Sequence, residues 1–351
     1  MPLIVFNVDM NRGLGRLELI SLVAVILLIG GIFLPYVFQS RVDSRRNMCE
    51  YRLTRLGYAL QIAEQESQYI PYYRTAWSEF HPGEKPVISD DRIVGWQLET
   101  LPYLGFTPEM PGSQQEDAPQ VSYGPLHQHY LDFVSDHSAS AAQTLRELYF
   151  PDFVCPANNP PEIDQGILPA GWNSYVANGG LPDASQSVRT GIGTDGLANG
   201  LFVDDPLLSA DTAGWNRVGF EYVAEGDGLD HTMLLSENID SGNWTASTEA
   251  ELVFHWRVDV PFPAGVETVR VLGLNVQRGE GVDGDVRFAR ISSNHPGGAN
   301  AIFVSGRTQF LSEKIDPRVL RYMMTSRDAE VTWPGTELPI FGPVEEIDSS
   351  D

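Results

Sequence analysis

The chain is poor in positive charge. Of its 351 residues only 23 are lysine or arginine, against 47 aspartate or glutamate, which leaves a formal net charge of -24. Such a balance repels phosphate backbones and anionic headgroups, so it argues against a nucleic-acid partner and leaves divalent cations as counter-ions. Cysteine is scarcer still. Cys49 and Cys155 lie far apart without CxxC spacing, and zinc-finger or redox-motif readings have no support. Also missing are the GxSxG, SxxK and GxxxxGKS/T patterns that present a nucleophile or cradle a phosphate, and no internal repeat is visible. A carboxylate pair for glycoside hydrolysis is defined by its separation in space and stays open. The expectation is a protein that is not an enzyme.

Charge of either sign is absent from Leu19 to Phe38, a run of twenty residues broken only by Pro35. At about 1.5 Å rise per residue this is about 30 Å of helix, enough to cross a bilayer's hydrocarbon core. Glu18 stands at its mouth. A carboxylate costs roughly 2.5 to 3.5 kcal/mol at mid-bilayer, less near the interface, and normally marks a partner cation. Beyond the run, Val42, Cys49, Leu53, Leu56, Leu60 and Ala63 recur at helical spacing. The helix is therefore expected to continue from about Leu17 to near Tyr69, where Ile70-Pro71 discourages another turn. Pro35 removes one backbone hydrogen bond and invites a kink.

Gly13, Leu14, Glu18, the apolar run and Pro35 stand at the relative positions seen in type IV pilins and the pseudopilins of type II secretion, which this N-terminus resembles. The resemblance implies cleavage after Gly13 by a prepilin peptidase and methylation of the new Leu14 amine. Glu18 would pair with the Leu14 amine of a neighbour, giving self-association or association with other pilin-like subunits through the helix. The chain would sit in the inner membrane as a single-pass protein with its C-terminal part extracytoplasmic. On the residues alone, a plain signal anchor also fits, with Glu18 a helix-start carboxylate favoured by the macrodipole and snorkelling to the headgroups. The leader departs from the pilin pattern because Met1 to Met10 is apolar and carries Asp9, so translation is expected to start at Met10. Arg41, Arg45 and Arg46 follow the span while only Arg12 and Arg16 precede or open it, a bias that by itself favours a cytoplasmic C-terminus. The resemblance, the cysteines and the acidic bulk of the chain outweigh it. In an oxidising compartment Cys49 and Cys155 would form one disulfide that clips the helix to the domain, and two separate buried thiols are the alternative.

From Tyr72 onward the chain reads as strands and loops, apart from a helical segment around Ala139 to Leu148. Candidate strands are Leu252 to Val258, Thr268 to Val276, Val286 to Ile291, Ala301 to Val304 and Thr308 to Leu311, the last two joined by a Ser305-Gly306-Arg307 hairpin. Asp316 can cap a helix that opens on Pro317 and turns Val319, Leu320, Met323 and Met324 inward. The expected class is α+β, a long N-terminal transmembrane and amphipathic helix packed on an antiparallel β-rich extracytoplasmic domain. Its divisions are a leader 1–13, a helix 14–69 with its membrane part about 17–38, a domain 70–341 and an acidic tail 342–351.

The C-terminal stretch sharpens the family. Ser293-Asn294-His295-Pro296-Gly297-Gly298-Ala299-Asn300, the hairpin, and Leu311-Ser312-Glu313-Lys314-Ile315-Asp316 follow one another. Upstream stand Arg45-Arg46-Asn47-Met48-Cys49, Phe153-Val154-Cys155-Pro156 and Asn173-Ser174-Tyr175-Val176-Ala177-Asn178. From Gly13 to about Val331 the chain resembles the planctomycete family DUF1559. That resemblance implies a prepilin-type N-terminus joined to a β-rich extracytoplasmic domain, and the labels used for members range over pilin-like, secretion-related and transporter. Members commonly carry Asp-Gly where this chain has Ser305-Gly306, and a small polar residue where it has Arg307. If that aspartate holds a ligand, the function is in question here; if it shapes the turn, serine suffices.

Among candidate ligands, His295 has no second donor at ligand spacing and Pro-Gly-Gly after it describes a tight turn, so a structural role is expected. His127, His129 and His137 cluster more densely, and HxH can place two imidazoles on one strand face, but the expected setting is a solvated loop. Asp227 and Asp230 with Glu237, and Asp283 with Asp285, resemble fragments of calcium loops without the full oxygen spacing of an EF-hand. Acidic turns are the plainer reading, and Ca2+ is the one cofactor the pattern admits. Two functions follow: a pilin-like assembly subunit, or an anchored module that captures carbohydrate, peptide or cation in a groove lined by Trp172, Trp215, Trp244 and Trp256. Packed tryptophans would speak for core, exposed ones for a groove.

Overall fold

The structure, a computed structural model, describes residues 16–76, 93–104, 150–158, 171–180, 197–205, 217–244, 246, 248–256, 273–275 and 288–331. The chain divides into two compact units, 1–45 and 46–351. One helix, α1 (Arg16–Ser67), carries residues of both, with Pro35 inside it. It stops within two residues of the expected end near Tyr69. In the first unit the large apolar side chains from Leu19 to Phe38 are exposed, and the helix has the length and composition to cross a membrane. Apolar surface on that scale has to be covered by lipid or by other helices.

The second unit is built on a five-stranded sheet. Its strands are β3 (Tyr175–Gly180), β4 (Met233–Glu237), β5 (Val253–His255), β6 (Gly298–Phe303) and β7 (Thr308–Ser312), in the order β5-β3-β4-β6-β7. A separate pair, β1 (Arg74–Ala76) and β2 (Ile93–Gly95), is antiparallel. The large sheet is antiparallel except at one edge, where β5 runs parallel to β3. Its two faces bury different residues, following the period of two along β3 and β6 and broken in β4 by a register irregularity between Met233 and Leu235. On one side Cys49, Leu53, Leu56, Ala59 and Leu60 of α1 pack with Tyr175, Ala177, Leu235 and Ile302. On the other, Val176, Met233, Ala299, Ala301, Phe303 and Leu311 pack with Leu320 and Met324. Covered on both faces, β3, β4 and β6 are buried at every position.

Close approach of helix to sheet is allowed by Gly57, where an added Cβ would lie 2.2 Å from Ile302 Cδ1. Polar ties fix the register: Gln61 Nε2 donates to Val304 O at 3.0 Å, and Thr308 Oγ1 to Glu50 at 2.8 Å. The apolar stripe expected on the second half of α1 is thus the helix's contribution to the core.

Several local expectations need correction. The segment expected as a strand over Leu252 to Val258 opens as the last residue of a short helix (Glu249–Leu252), and among its described residues only Val253–His255 is strand. Residues 288–291 run as loop rather than as a strand, because their backbone bonds go singly to β5, Asn275 and one another. Residues 273–275 form a turn. The first hairpin strand, Gly298–Phe303, starts before Ala301 and stops one residue short of Val304, and the second, Thr308–Ser312, starts as expected and runs one residue past Leu311. Asp316 caps the helix Pro317–Tyr322 by accepting from Arg318 N at 2.8 Å; Leu320 and Met324 face inward, but Val319 is exposed. The helical segment expected at 139–148 lies outside the described residues.

Candidate functional site

Three connections meet at one end of the sheet: the approach to β3 (171–174), the exit from β4 (238–243) and the approach to β6 (288–297). Antiparallel pairing of β3 with β4 and of β4 with β6 puts them together. Phe153-Val154-Cys155 joins them, because Ser174 N donates to Phe153 O at 2.8 Å. Two arginines of α1 hold that last segment. Arg55 pairs with Asp152 at 2.9 Å and donates to Leu104 O, and Arg52 donates to Val154 O. Burial pushes the Asp152 carboxyl above its usual range, and the charges of Arg55 and Arg52 work against that rise.

Held this way, Cys155 reaches Cys49 on α1. The two form a disulfide with S–S 2.00 Å and Cα–Cα 5.0 Å across 106 residues of sequence. Around it lies a charged and polar centre. His295 Nε2 is 3.3 Å from Cys155 Sγ and 3.3 Å from Glu237 Oε1. Glu237, the last residue of β4, accepts from Asn300 N at 3.0 Å and from Asn300 Nδ2 at 3.3 Å. Its carboxyl group is wholly buried, and the two Asn300 donors converge on it, which is how a buried acid is tolerated. The His295 ring meets Phe310 edge-on, and the Arg46 guanidinium stacks on the other ring at 4.8 Å. The donor atoms of Cys49, Cys155, Glu237 and His295 all lie within 4.8 Å of one another, and all four residues are buried.

His295 has no second donor at ligand spacing along the chain, yet the fold brings two distant ones to its ring. Glu237 is 58 positions away in sequence and Cys155 is 140, so spacing along the chain could not reveal them. Glu237 also leaves the calcium-loop fragment to which its sequence neighbours assigned it. Around His295 the motif residues divide their work. Asn294 is exposed and its N–H donates to Asn158 Oδ1 at 2.9 Å; Gly297 has φ +83° and gives the turn; an added Cβ on Gly298 would lie 1.9 Å from Leu311 O. Pro296 is exposed at the turn.

The rest of this end is an asparagine and serine network. Asn238 spends its whole side chain, donating to Phe288 O and accepting from Asp240 N and Ser292 Oγ. Ser241 Oγ bridges to Asn173 O and Asn238 O. Three other asparagines are half used. Asn158, Asn173 and Asn275 each accept a backbone N–H through Oδ1, from Asn294, Tyr175 and Ser293, at 2.9, 3.1 and 2.7 Å. Those bonds fix which end is oxygen, so the opposite ends are amide donors. All three Nδ2 atoms are shielded and make no hydrogen bond among the described residues, and the same holds for Trp172 Nε1 and Ser174 Oγ. Asn173 and Ser174 lie in the Asn173-Ser174-Tyr175-Val176-Ala177-Asn178 motif, but nothing in the sequence separates a spent amide from a spare one.

Other candidates fall elsewhere. Trp244 and Trp256 are buried in the core, and Trp172 is half-buried, so the described tryptophans form no exposed aromatic groove; Trp215 lies outside the described residues. Asp227 accepts from Thr325 Oγ1 and Asp328 N, and burial beside Asp328 pushes its carboxyl up to about 6. Asp230 is exposed and its carbonyl accepts from Arg307, which also stacks on Phe303. At the hairpin Ser305 Oγ accepts from Arg307 N at 3.4 Å, a turn-shaping bond. Asp283, Asp285, His127, His129, His137, Gly13 and Leu14 lie outside the described residues, and Glu18 is placed only as a residue of α1.

Residues 39–318 match the family model described as "Protein of unknown function (DUF1559)". The chain belongs to the DUF1559 family. No curated protein and no solved structure matches it. The match covers the disulfide, His295, Glu237 and the asparagine network, and it begins inside α1. This DUF1559 protein combines a membrane-anchored N-terminal helix with a distinct, β-rich extracytoplasmic domain that a disulfide closes.

Proposed function

We propose that the chain is a non-enzymatic, membrane-tethered binding module of the inner membrane, and that the asparagine-rich end of its sheet takes the ligand. The observation that carries this reading is the set of spare donors, Asn158 Nδ2, Asn173 Nδ2, Asn275 Nδ2 and Trp172 Nε1. A buried donor without an acceptor costs about 1 to 3 kcal/mol, so four at one end favour an acceptor-bearing partner. They are donors, which disfavours a cation at these atoms, and the net charge of -24 disfavours a polyanion. Neutral ligands rich in acceptor oxygens, carbohydrate or peptide, fit both facts. The test is a thermal-shift screen of the full chain in lipid nanodiscs against neutral oligosaccharides and uncharged short peptides. A hit raises the melting temperature in wild type and at least about tenfold less effectively in Asn173→Ala and Asn275→Ala, for a loss of about 1.4 kcal/mol each. No shift at millimolar concentration, or equal shifts in the variants, removes the reading.

A second reading rests on α1. Its apolar side chains from Leu19 to Phe38 are exposed, and the helix runs on through Pro35. That suits lateral packing with copies of itself or other pilin-like subunits, after a prepilin peptidase cuts behind Gly13. Mass spectrometry of protein from membranes should then find a methylated Leu14 terminus, and Glu18→Gln should lower cross-linking between subunits while insertion persists. An uncut chain ends this second reading.

A further inference from the structure

We infer that reduction of the Cys49–Cys155 disulfide turns the buried centre into a binding site for one thiophilic divalent metal ion of the zinc class, ligated by Cys49, Cys155, His295 and Glu237.

Geometry is the first support. A tetrahedral ion with bonds of about 2.0 to 2.3 Å separates its ligand atoms by about 3.3 to 3.8 Å. Cys155 Sγ to His295 Nε2 and His295 Nε2 to Glu237 Oε1 are both 3.3 Å already. The two sulfurs are bonded to each other in the disulfide, and reduction frees both as separate ligands. The donor set is the second support. Two thiolates, an imidazole and a carboxylate make a closed, fully buried four-coordinate set of the structural type. The third is the support around it. Asn300 holds the Glu237 carboxylate through two bonds, and Arg52 and Arg55 hold the segment that carries Cys155.

The chemistry balances with a dithiol as reductant. Two electrons and two protons pass from the dithiol to the S–S bond, which breaks to give two cysteine thiols while the dithiol closes to its own disulfide. Metal entry then displaces the two thiol protons to solvent. The oxidised and metal-bound forms exclude one another, and in each of them Cys49 on α1 stays tied to the loop before β3. A chain that meets reducing conditions before oxidation thus keeps the same clasp in another form.

The test uses the full chain in detergent, reduced with a phosphine and exchanged into buffer, with Co2+ as spectroscopic probe and Zn2+ as competitor. One equivalent of Co2+ should bind reduced protein, with thiolate charge-transfer absorption and the intense visible bands of a tetrahedral ion, and Zn2+ should displace it. Oxidised protein and the Cys49→Ser/Cys155→Ser variant should show neither. Glu237→Gln and His295→Ala should each weaken binding at least about tenfold. Far-UV circular dichroism of the reduced, metal-free protein accompanies every titration. The inference is overturned if the reduced chain takes up no ion, including by failing to hold or regain its fold with metal. It is equally overturned if both ligand variants bind as wild type does, or if oxidised protein binds as well as reduced.

Discussion

Removing the disulfide while leaving no thiol behind, as in Cys49→Ala/Cys155→Ala, isolates what the clasp does for stability. The bond closes a loop with a sequence separation of 106. Constraining a loop of that length lowers the entropy of the unfolded chain by an amount worth about 4.7 kcal/mol, and losses measured for such bonds run from about 2 to 5. The unit 46–351 has about 300 residues, and at about 2.1 cal/mol/K per residue its unfolding entropy is about 0.6 kcal/mol/K. The quotient is a fall in melting temperature of about 3 to 8 °C. Tryptophan fluorescence is the fitting probe, since Trp244 and Trp256 are buried in this unit and the membrane part of α1 contains none. A fall below about 2 °C would mean that the unfolded chain gains no freedom when the bond goes. That would refute the assignment of the bond as the link that ties α1 to the sheet.

Two neighbouring glycines should respond to alanine for different reasons. Gly297 sits at φ +83° with no atom within 4 Å of an added Cβ, so Gly297→Ala should cost about 1 to 2 kcal/mol from backbone strain alone, and Gly297→Asn less. At Gly298 the added methyl meets Leu311 O, so Gly298→Ala should force β6 from β7 and cost more than Gly297→Ala; equal denaturation midpoints for the two would contradict this. Asp227 gives a pH prediction. Its carboxyl rises from 3.8 to about 6 on folding, so the native state holds the proton more tightly than the unfolded one. Stability therefore falls as pH rises between about 3.8 and about 6 and is level above. Asp227→Asn should remove that fall, as read from denaturation midpoints at pH 4 and pH 7, and an unchanged slope would show that Asp227 is not its source.

Much of the fold was legible because it rests on periodicity and on local chemistry. The apolar run, the stripe through Leu53, Leu56 and Leu60, and the Ile70-Pro71 stop all act within a few residues, and they place the end of α1 to within two positions. The β6–β7 hairpin was visible for the same reason, through Ser305-Gly306 between two apolar runs. What failed was the reading of β-rich composition as strand. Residues 288–291 have strand-like character but run as loop, because their backbone bonds go singly to His255, Asn275 and one another and no ladder forms. Whether a backbone pairs once or repeatedly depends on its neighbours in space, and the sequence does not encode those locally.

The site was the least legible part, and the reason is physical. His295 looked like a turn residue because ligand spacing is a property of local motifs, whereas this centre draws one side chain each from α1, the Cys155 segment, the end of β4 and the turn before β6. Antiparallel topology assembles it: the last residue of β4 and the first residues of β6 are forced together by their pairing, so Glu237 meets Asn300 and, through the turn, His295. The same topology places the spare amides of Asn173 and Asn275 nearby, on segments that only strand order brings to one end. A polar centre built this way depends on the sheet's register, because a shift of one residue in β4 against β6 would turn Glu237 to the opposite face and leave it buried without donors. Glu237, Asn300 and His295 thus specify pairing as well as supplying chemistry, and substitutions at Glu237 should loosen the register of β4 against β6 before they alter any ligand.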